Sequence, residues 1–221
     1  MIFTVAQIED FLRVSGDTNP LHSDDDFARR AGFERRVVPG MLSTLLAIPN
    51  THERSLTGMW VKFKQPLYPD VDYVLNSSMD RCEYQLPEAP MHDRVVIRPD
   101  WPVEIESEFE SKIWPLPFSC PSHEYQNLPS WQSAILICCS RIAGNHLAGS
   151  ILTRVAIEFT WPQSEFIPEV PTLWDGQMFY RYKVAFENPQ WRTINLIAEF
   201  LHGSQRVAIA SMDVLTGKAT A

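Results

Sequence analysis

The chain has 221 residues, 45% of them hydrophobic and 21% charged, with a formal net charge of −8. That composition is ordinary for a globular protein and supplies a packed core for one large domain or two small ones, while the acidic balance argues against nucleic acid, whose phosphates need a basic footprint. No apolar run reaches the roughly 18 residues of a membrane span, and MIFTVAQIED carries no basic residue ahead of an apolar stretch as a secretory signal would, so a cytoplasmic protein is expected. Cys82, Cys120, Cys138 and Cys139 show no C-x-x-C spacing, which fits reduced, buried thiols better than a disulfide framework or a zinc site.

Taken in chain order, Thr4 and Gln7 form a capping-box pattern ahead of Val5, Ile8, Phe11 and Leu12 on one helical face, and Gly16 stops that helix. A second short helix is expected with Ser23 as its N-cap, acids at 24–26 in its first turn, Arg29 and Arg30 in its last, and Gly32 after it. A third starts at Pro39-Gly40 and runs through MLSTLLA until Pro49 breaks it. Met59, Val61 and Phe63 alternate with Trp60, Lys62 and Lys64 as in a half-buried strand, and 71–79 reads as extended. The segment 84–104, with Pro87, Pro90, Pro99 and Pro102, is the least regular part of the chain.

The second half repeats the plan. SWQSAILICCSRIAG (130–144) is an apolar helix expected to end at Gly144-Asn145, an extended run SILTRVAIEFTWP follows, and then come three β-rich segments at 177–187, 193–202 and 206–216. TGMWVKFKQP (57–66) aligns with TRVAIEFTWP (153–162): Thr, an apolar residue, a charge, Phe and Pro recur at the same offsets, with a shift of 153 − 57 = 96 residues. The pattern predicts two copies of one small α+β unit, each a helix wrapped by an antiparallel sheet, at 1–104 and 105–221.

The polar stretch SGDTNPLHSD, Ser15 to Asp24, is where the chemistry concentrates. Gly16 permits the turn out of the first helix, and Pro20 fixes its own φ while biasing Asn19 to extended geometry, so the loop is rigid by composition. It presents a carboxylate, Asp17, and an imidazole, His22, five residues apart. A reaction that moves two protons needs two acid–base groups held close together, both able to titrate near neutral pH. The two residues satisfy that need, with either member free to take either role. The start of the third helix, at Gly40 and Met41, would offer backbone N–H groups and the positive end of a helix dipole to a thioester oxygen.

Simpler readings exist for several of these residues. Asp17 and Asn19 are residue types that commonly cap helices and turns, and it is their company with Pro20, His22 and the downstream Gly-Phe and Pro-Gly-Met that favours catalysis. Asp24 reads as a helix-terminal carboxylate. His22, Asp24 and Asp25 lack a third converging ligand type and are not expected to bind metal. Arg29 and Arg30 read as dipole compensation, whereas Arg35 and Arg36 are candidates for contacts to coenzyme A phosphates or an acidic acyl-carrier protein. The remaining histidines, His52, His92, His123, His146 and His202, are isolated, and the run Ala134 to Cys139 reads as core.

S-G-D-T-N-P-L-H-S-D, continued by A-x-x-x-G-F (Ala28 to Phe33) and V-V-P-G-M-L (Val37 to Leu42), resembles the signature of the MaoC-like, (R)-specific enoyl-thioester hydratases and dehydratases, and F-K-Q-P-L-Y-P-D (Phe63 to Asp70) is similar to the strand and turn that follow their central helix. The resemblance covers roughly residues 4–75. It implies a hot-dog fold, here a double hot dog whose degenerate second copy carries no dyad and which serves as an internal pseudodimer, with pairing into a homodimer open. It further implies hydration of an enoyl thioester or dehydration of a 3-hydroxyacyl thioester, carried on CoA or phosphopantetheine. Asp17 and His22 would be the acid–base dyad, Asn19 would orient water or His22, and Gly40 would polarise the carbonyl. No metal, nucleotide or flavin is implied. Two positions depart from the family pattern: Pro39 stands where many members have histidine, and Asp70 where glycine is usual. Alternatives on the same scaffold are a specialised polyketide-type dehydratase or cyclase acting on a carrier-bound chain, or a silent acyl-thioester-binding subunit; a thioesterase would have no use for SGDTNPLH.

Overall fold

The structure, a computed structural model, describes residues 1–48, 56–78, 80–89, 94–100, 114–117, 130–146, 149–160, 177–188, 190–202 and 204–217. The first half opens with helix α1 (Val5–Ser15). Its capping box is formed as the sequence implies, with Thr4 and Gln7 satisfying each other's backbone N–H groups, and Gly16 ends it in the left-handed region at φ +65°. Ile8 and Phe11 are fully buried on its inner face. Helix α2 (Asp25–Arg30) is capped by Asp24, whose carboxylate accepts from the Phe27 N–H at 2.9 Å. Asp24 therefore takes the cap expected of Ser23, because Ser23 ends the preceding turn with its own N–H given to the Pro20 carbonyl. Helix α3 (Gly40–Ala47) is buried nearly all round, with Met41, Leu42 and Leu45 in the core.

Among the described residues, nine strands form one antiparallel sheet. They are β1 (Gly58–Phe63), β2 (Val74–Ser77), β3 (Cys82–Gln85), β4 (Val95–Pro99), β5 (Trp114–Pro117), β6 (Ile151–Phe159), β7 (Gln177–Glu187), β8 (Trp191–His202) and β9 (Gln205–Gly217). The order across the sheet is β2-β3-β4-β1-β6-β9-β8-β7-β5. Outward from the central β1–β6 seam, each half places its strands in the sequence first, fourth, third, second, so the two halves share one topology. β5 adds a short outer strand on β7 just ahead of helix α4 (Ser130–His146), much as Ile2 bridges to Asp72 ahead of α1.

The seam carries the repeat in its register. Trp60 pairs with Ala156, flanked by Met59↔Ile157 and Val61↔Val155. Adding the 96-residue offset turns Trp60 into Ala156 and Met59 into Val155, so exchanging the two copies maps the ladder onto itself about the Trp60–Ala156 pair. The chain is thus two helix-wrapped sheets whose inner edges fuse into one. The boundary expected at 104/105 lies outside the described residues.

Two expectations about the elements are corrected. The segment 84–104 contains β4, a buried strand whose Val95, Val96 and Ile97 are apolar while Pro99 sits at its end, where a lost ladder N–H costs little. Helix α4 does not stop at Gly144 but runs on to His146. Its residues Ala134 to Cys139 are all buried, α4 being packed between helix α3 and strands β6, β8 and β9, and burial pushes the Cys139 thiol up to about 12. Cys82, Cys138 and Cys139 are buried thiols outside any disulfide among the described residues; Cys120, His52, His92 and His123 lie outside the described residues. Among the described residues no helix is long and apolar enough to cross a membrane.

Candidate active site

The site is built on the loop that leaves α1. After Gly16 the chain turns into Asp17, whose N–H donates to Ser15 Oγ at 3.2 Å. Asn19 then caps the single 3-10 turn Pro20–His22, accepting from the Leu21 N–H, with Pro20 preset at the first position. Asp17 is only 6% exposed, and both its carboxylate oxygens accept hydrogen bonds: Oδ1 from the Asn19 N–H at 2.9 Å and Oδ2 from the Ser140 hydroxyl at 2.7 Å. His22 Nδ1 lies 2.7 Å from the Val37 carbonyl. A carbonyl only accepts, so Nδ1 carries the proton and a neutral ring keeps its lone pair on Nε2.

Asp17 and His22 open onto one cavity of about 310 Å³. Gly40 and Ser43 of α3 and Phe63 of β1 line it from the first half; Ser140, Leu152 and Leu215 line it from the second. Pro39 is the N-cap of α3 and offers no side-chain acceptor to the helix's first N–H groups, so no side chain competes with a ligand oxygen there. Gly40 is glycine for a steric reason: a β-carbon would come within 2.7 Å of the Phe63 ring. Asp70 adopts φ +58°, the left-handed conformation that explains why glycine serves at that turn and why an aspartate can replace it.

The remaining sequence-derived candidates fall elsewhere. Asn19 borders the cavity, and its amide also fastens the loop: Nδ2 donates to the Ser150 carbonyl, and Oδ1 accepts from the Leu21 and Gly149 N–H groups. The Met41 side chain is in the core and does not line the cavity. Arg36 and Arg35 do not line it either. Arg36 is tied down: its backbone N–H donates to Asp25 Oδ1 at 2.7 Å and its guanidinium pairs with the same carboxylate at 3.3 Å. These bonds, the backbone one foremost, hold the Asp25 carboxyl below its usual range. Arg35 lies over the Tyr68 ring, 5.9 Å from its centroid.

Sequence reasoning missed the second half's contribution to the loop. Ser140 reaches Asp17; Asn145 Oδ1 accepts from both the N–H and the hydroxyl of Thr18 and its Nδ2 donates to the Gly16 carbonyl. The only available signal was a glycine, Gly144, inside an apolar helix, where glycine is costly without a packing reason.

Residues 2–70 match the family model of the MaoC like domain. The matched segment holds α1 to β1 and every first-half residue of the candidate site named above. Over 41 residues the chain is 51% identical to a mitochondrial 3-hydroxyacyl-[acyl-carrier-protein] dehydratase of Arabidopsis thaliana, covering 19% of this chain and 25% of that protein. Over 64 residues it is 36% identical to peroxisomal multifunctional enzyme type 2 of Mus musculus, covering 26% of this chain and 9% of that protein. The matched segment is thus a quarter or less of either relative's length. Among solved structures, a MaoC-like dehydratase superposes with a TM-score of 0.61 at 10% identity, covering 97% of this chain and 94% of that one. A conserved Mycobacterium tuberculosis protein described as having a double hotdog fold superposes with 0.56 at 10% identity, covering 97% and 93%. At such identities the likeness speaks for the fold: the chain is a double hot dog, and the matched residues 2–70 lie in its first half.

Proposed function

We propose that the chain catalyses reversible hydration of an enoyl thioester, equivalently dehydration of a 3-hydroxyacyl thioester, with the acyl group carried on CoA or an acyl-carrier protein. The observation that carries this reading is that Asp17 and His22, fixed on one short loop, face a single largely apolar cavity that also contains the N-terminus of α3. An acyl chain suits walls such as Leu21, Val38, Leu67 and Leu152, and the thioester oxygen is placed at the Gly40 end of α3, where backbone donors stabilise charge as it develops. In the hydration direction water adds its oxygen to the β-carbon and a proton joins the α-carbon. His22, whose Nε2 lone pair is left for the cavity once Nδ1 is bonded to Val37, suits removal of the water proton. Asp17 stands on the same loop to manage the second proton, so both transfers occur on one face of the substrate. The name of the plant relative, a 3-hydroxyacyl-[acyl-carrier-protein] dehydratase, agrees with this reading.

The test is product analysis after incubation with short and medium 2-enoyl thioesters of CoA and of an acyl-carrier protein. Formation of a 3-hydroxyacyl product with the thioester intact supports the reading and names the carrier. Release of free thiol would make the chain a thioesterase, and tight binding without turnover would make it a silent binding subunit; either result overturns it.

A further inference from the structure

We propose that the second half supplies positioning residues for the acid–base loop of the first, with Ser140 setting the Asp17 carboxylate and Asn145 holding the backbone beneath it. The inference rests on the hydratase reading for its kinetic consequences. Four consecutive loop residues are gripped from beyond residue 139. The Gly16 carbonyl accepts from Asn145 Nδ2 at 3.1 Å, and the Thr18 N–H and hydroxyl donate to Asn145 Oδ1 at 2.9 and 2.8 Å. Asp17 Oδ2 accepts from Ser140 Oγ at 2.7 Å, and the Asn19 amide is bonded to Gly149 and Ser150 on the connection between α4 and β6.

Ser140 and Gly144 are one helical turn apart, so they share the face of α4 that meets the loop. The serine provides a donor to one carboxylate oxygen, and the glycine leaves the room that the other fills, because a β-carbon at 144 would overlap Asp17 Oδ1. The carboxylate therefore sits in a socket shaped by the opposite copy. Helix α4 is itself pinned to the first half near its other end, where the buried Gln132 side chain pairs with both the N–H and the carbonyl of Leu56. The two packed central helices divide the work: α3 presents the backbone donors of Gly40 to the carbonyl, and α4 aims the acid. The second copy serves as the mould of the first copy's reaction centre.

The test compares Ser140→Ala, Ser140→Thr and Asn145→Ala in the full chain, by steady-state hydration kinetics and by site-resolved amide hydrogen exchange. Ser140→Ala should lower kcat by about tenfold to a hundredfold, the cost of a misplaced catalytic group, with KM little changed, and Ser140→Thr, which restores a hydroxyl, should recover most of the loss. In Asn145→Ala the Thr18 and Asn19 amides should exchange faster while β8 and β9 keep the parent's protection. A Ser140→Ala enzyme with the parent's kcat, a Ser140→Thr enzyme as impaired as Ser140→Ala, or unchanged exchange at Thr18 in Asn145→Ala would overturn the proposal. If the parent chain itself fails to hydrate enoyl thioesters, the hydratase reading falls, and the exchange measurement alone decides whether α4 holds the loop.

Discussion

Asp17 occupies the space that a side chain on Gly144 would need, although the two residues belong to different copies of the repeated unit. Glycine inside a helix costs about 0.8–1.0 kcal/mol relative to alanine, so Gly144→Ala would stabilise α4 if nothing else stood nearby. Here the new methyl group must displace the carboxylate. The expected result is little or no gain in thermal stability and a fall in kcat of about two orders of magnitude, as for a reacting group moved by roughly an ångström. Melting temperature and hydration rate, measured on the same preparation, check it.

Asn19→Ala should act on stability before it acts on chemistry. The side chain is almost fully buried and joins Leu21, Gly149 and Ser150 in one set of hydrogen bonds. Its removal leaves buried backbone groups unpaired, each costing about 1–3 kcal/mol. Denaturant unfolding should show the loss, and Asn19→Asp should not rescue it, because a carboxylate cannot donate to the Ser150 carbonyl.

Gly40→Ala brings a methyl group against the Phe63 ring and would narrow the approach of the proposed thioester to the start of α3. Loss of such a contact typically lowers kcat by about 10²–10³. Making room with Phe63→Leu in the same chain should restore part of the activity. No rescue in the double variant would mean that the methyl group itself, and not the displaced ring, blocks the site.

The Asp25–Arg36 pairing sets one component of the acid response. Asp25 has a folded-state pKa lowered from 3.8 by the Arg36 backbone N–H first and its guanidinium second. A depressed carboxylate contributes stability above the unfolded-state value and loses it as pH falls through the folded-state value. Because the Asp25 side chain is 37% exposed, the contribution is screened and amounts to less than about 1 kcal/mol. Asp25→Asn should therefore lower stability slightly at neutral pH and make it less steep against pH below 4, measured by urea unfolding across that range.

Local signals carried much of the architecture. The Thr4–Gln7 box, Gly16, and the alternation at Met59, Val61 and Phe63 each depend on neighbours a few residues away, and each element forms where its pattern lies. The repeat was legible because the strand at the seam keeps its residues in step with its copy. β4 was not, because Pro99 and the flanking prolines mask a strand whose partners, β1 and β3, alone satisfy it. Asp17 and His22 stood out as chemistry-bearing residues on a loop stiffened by Pro20, whereas Ser140 and Asn145 look like ordinary helix residues until folding brings them across more than 120 residues to the loop. Arg36 shows the converse: a basic residue in an acidic chain suggests a phosphate, yet it pairs with Asp25, eleven residues back, and with Glu9.

The most direct test of the acid–base dyad is loss of enoyl-thioester absorbance with the carrier thioester the chain turns over, comparing the parent with Asp17→Asn and His22→Ala. Each variant should lose about two to four orders of magnitude in kcat while keeping the parent's circular dichroism and melting profile. Turnover that persists at the parent's rate in either folded variant would contradict the account.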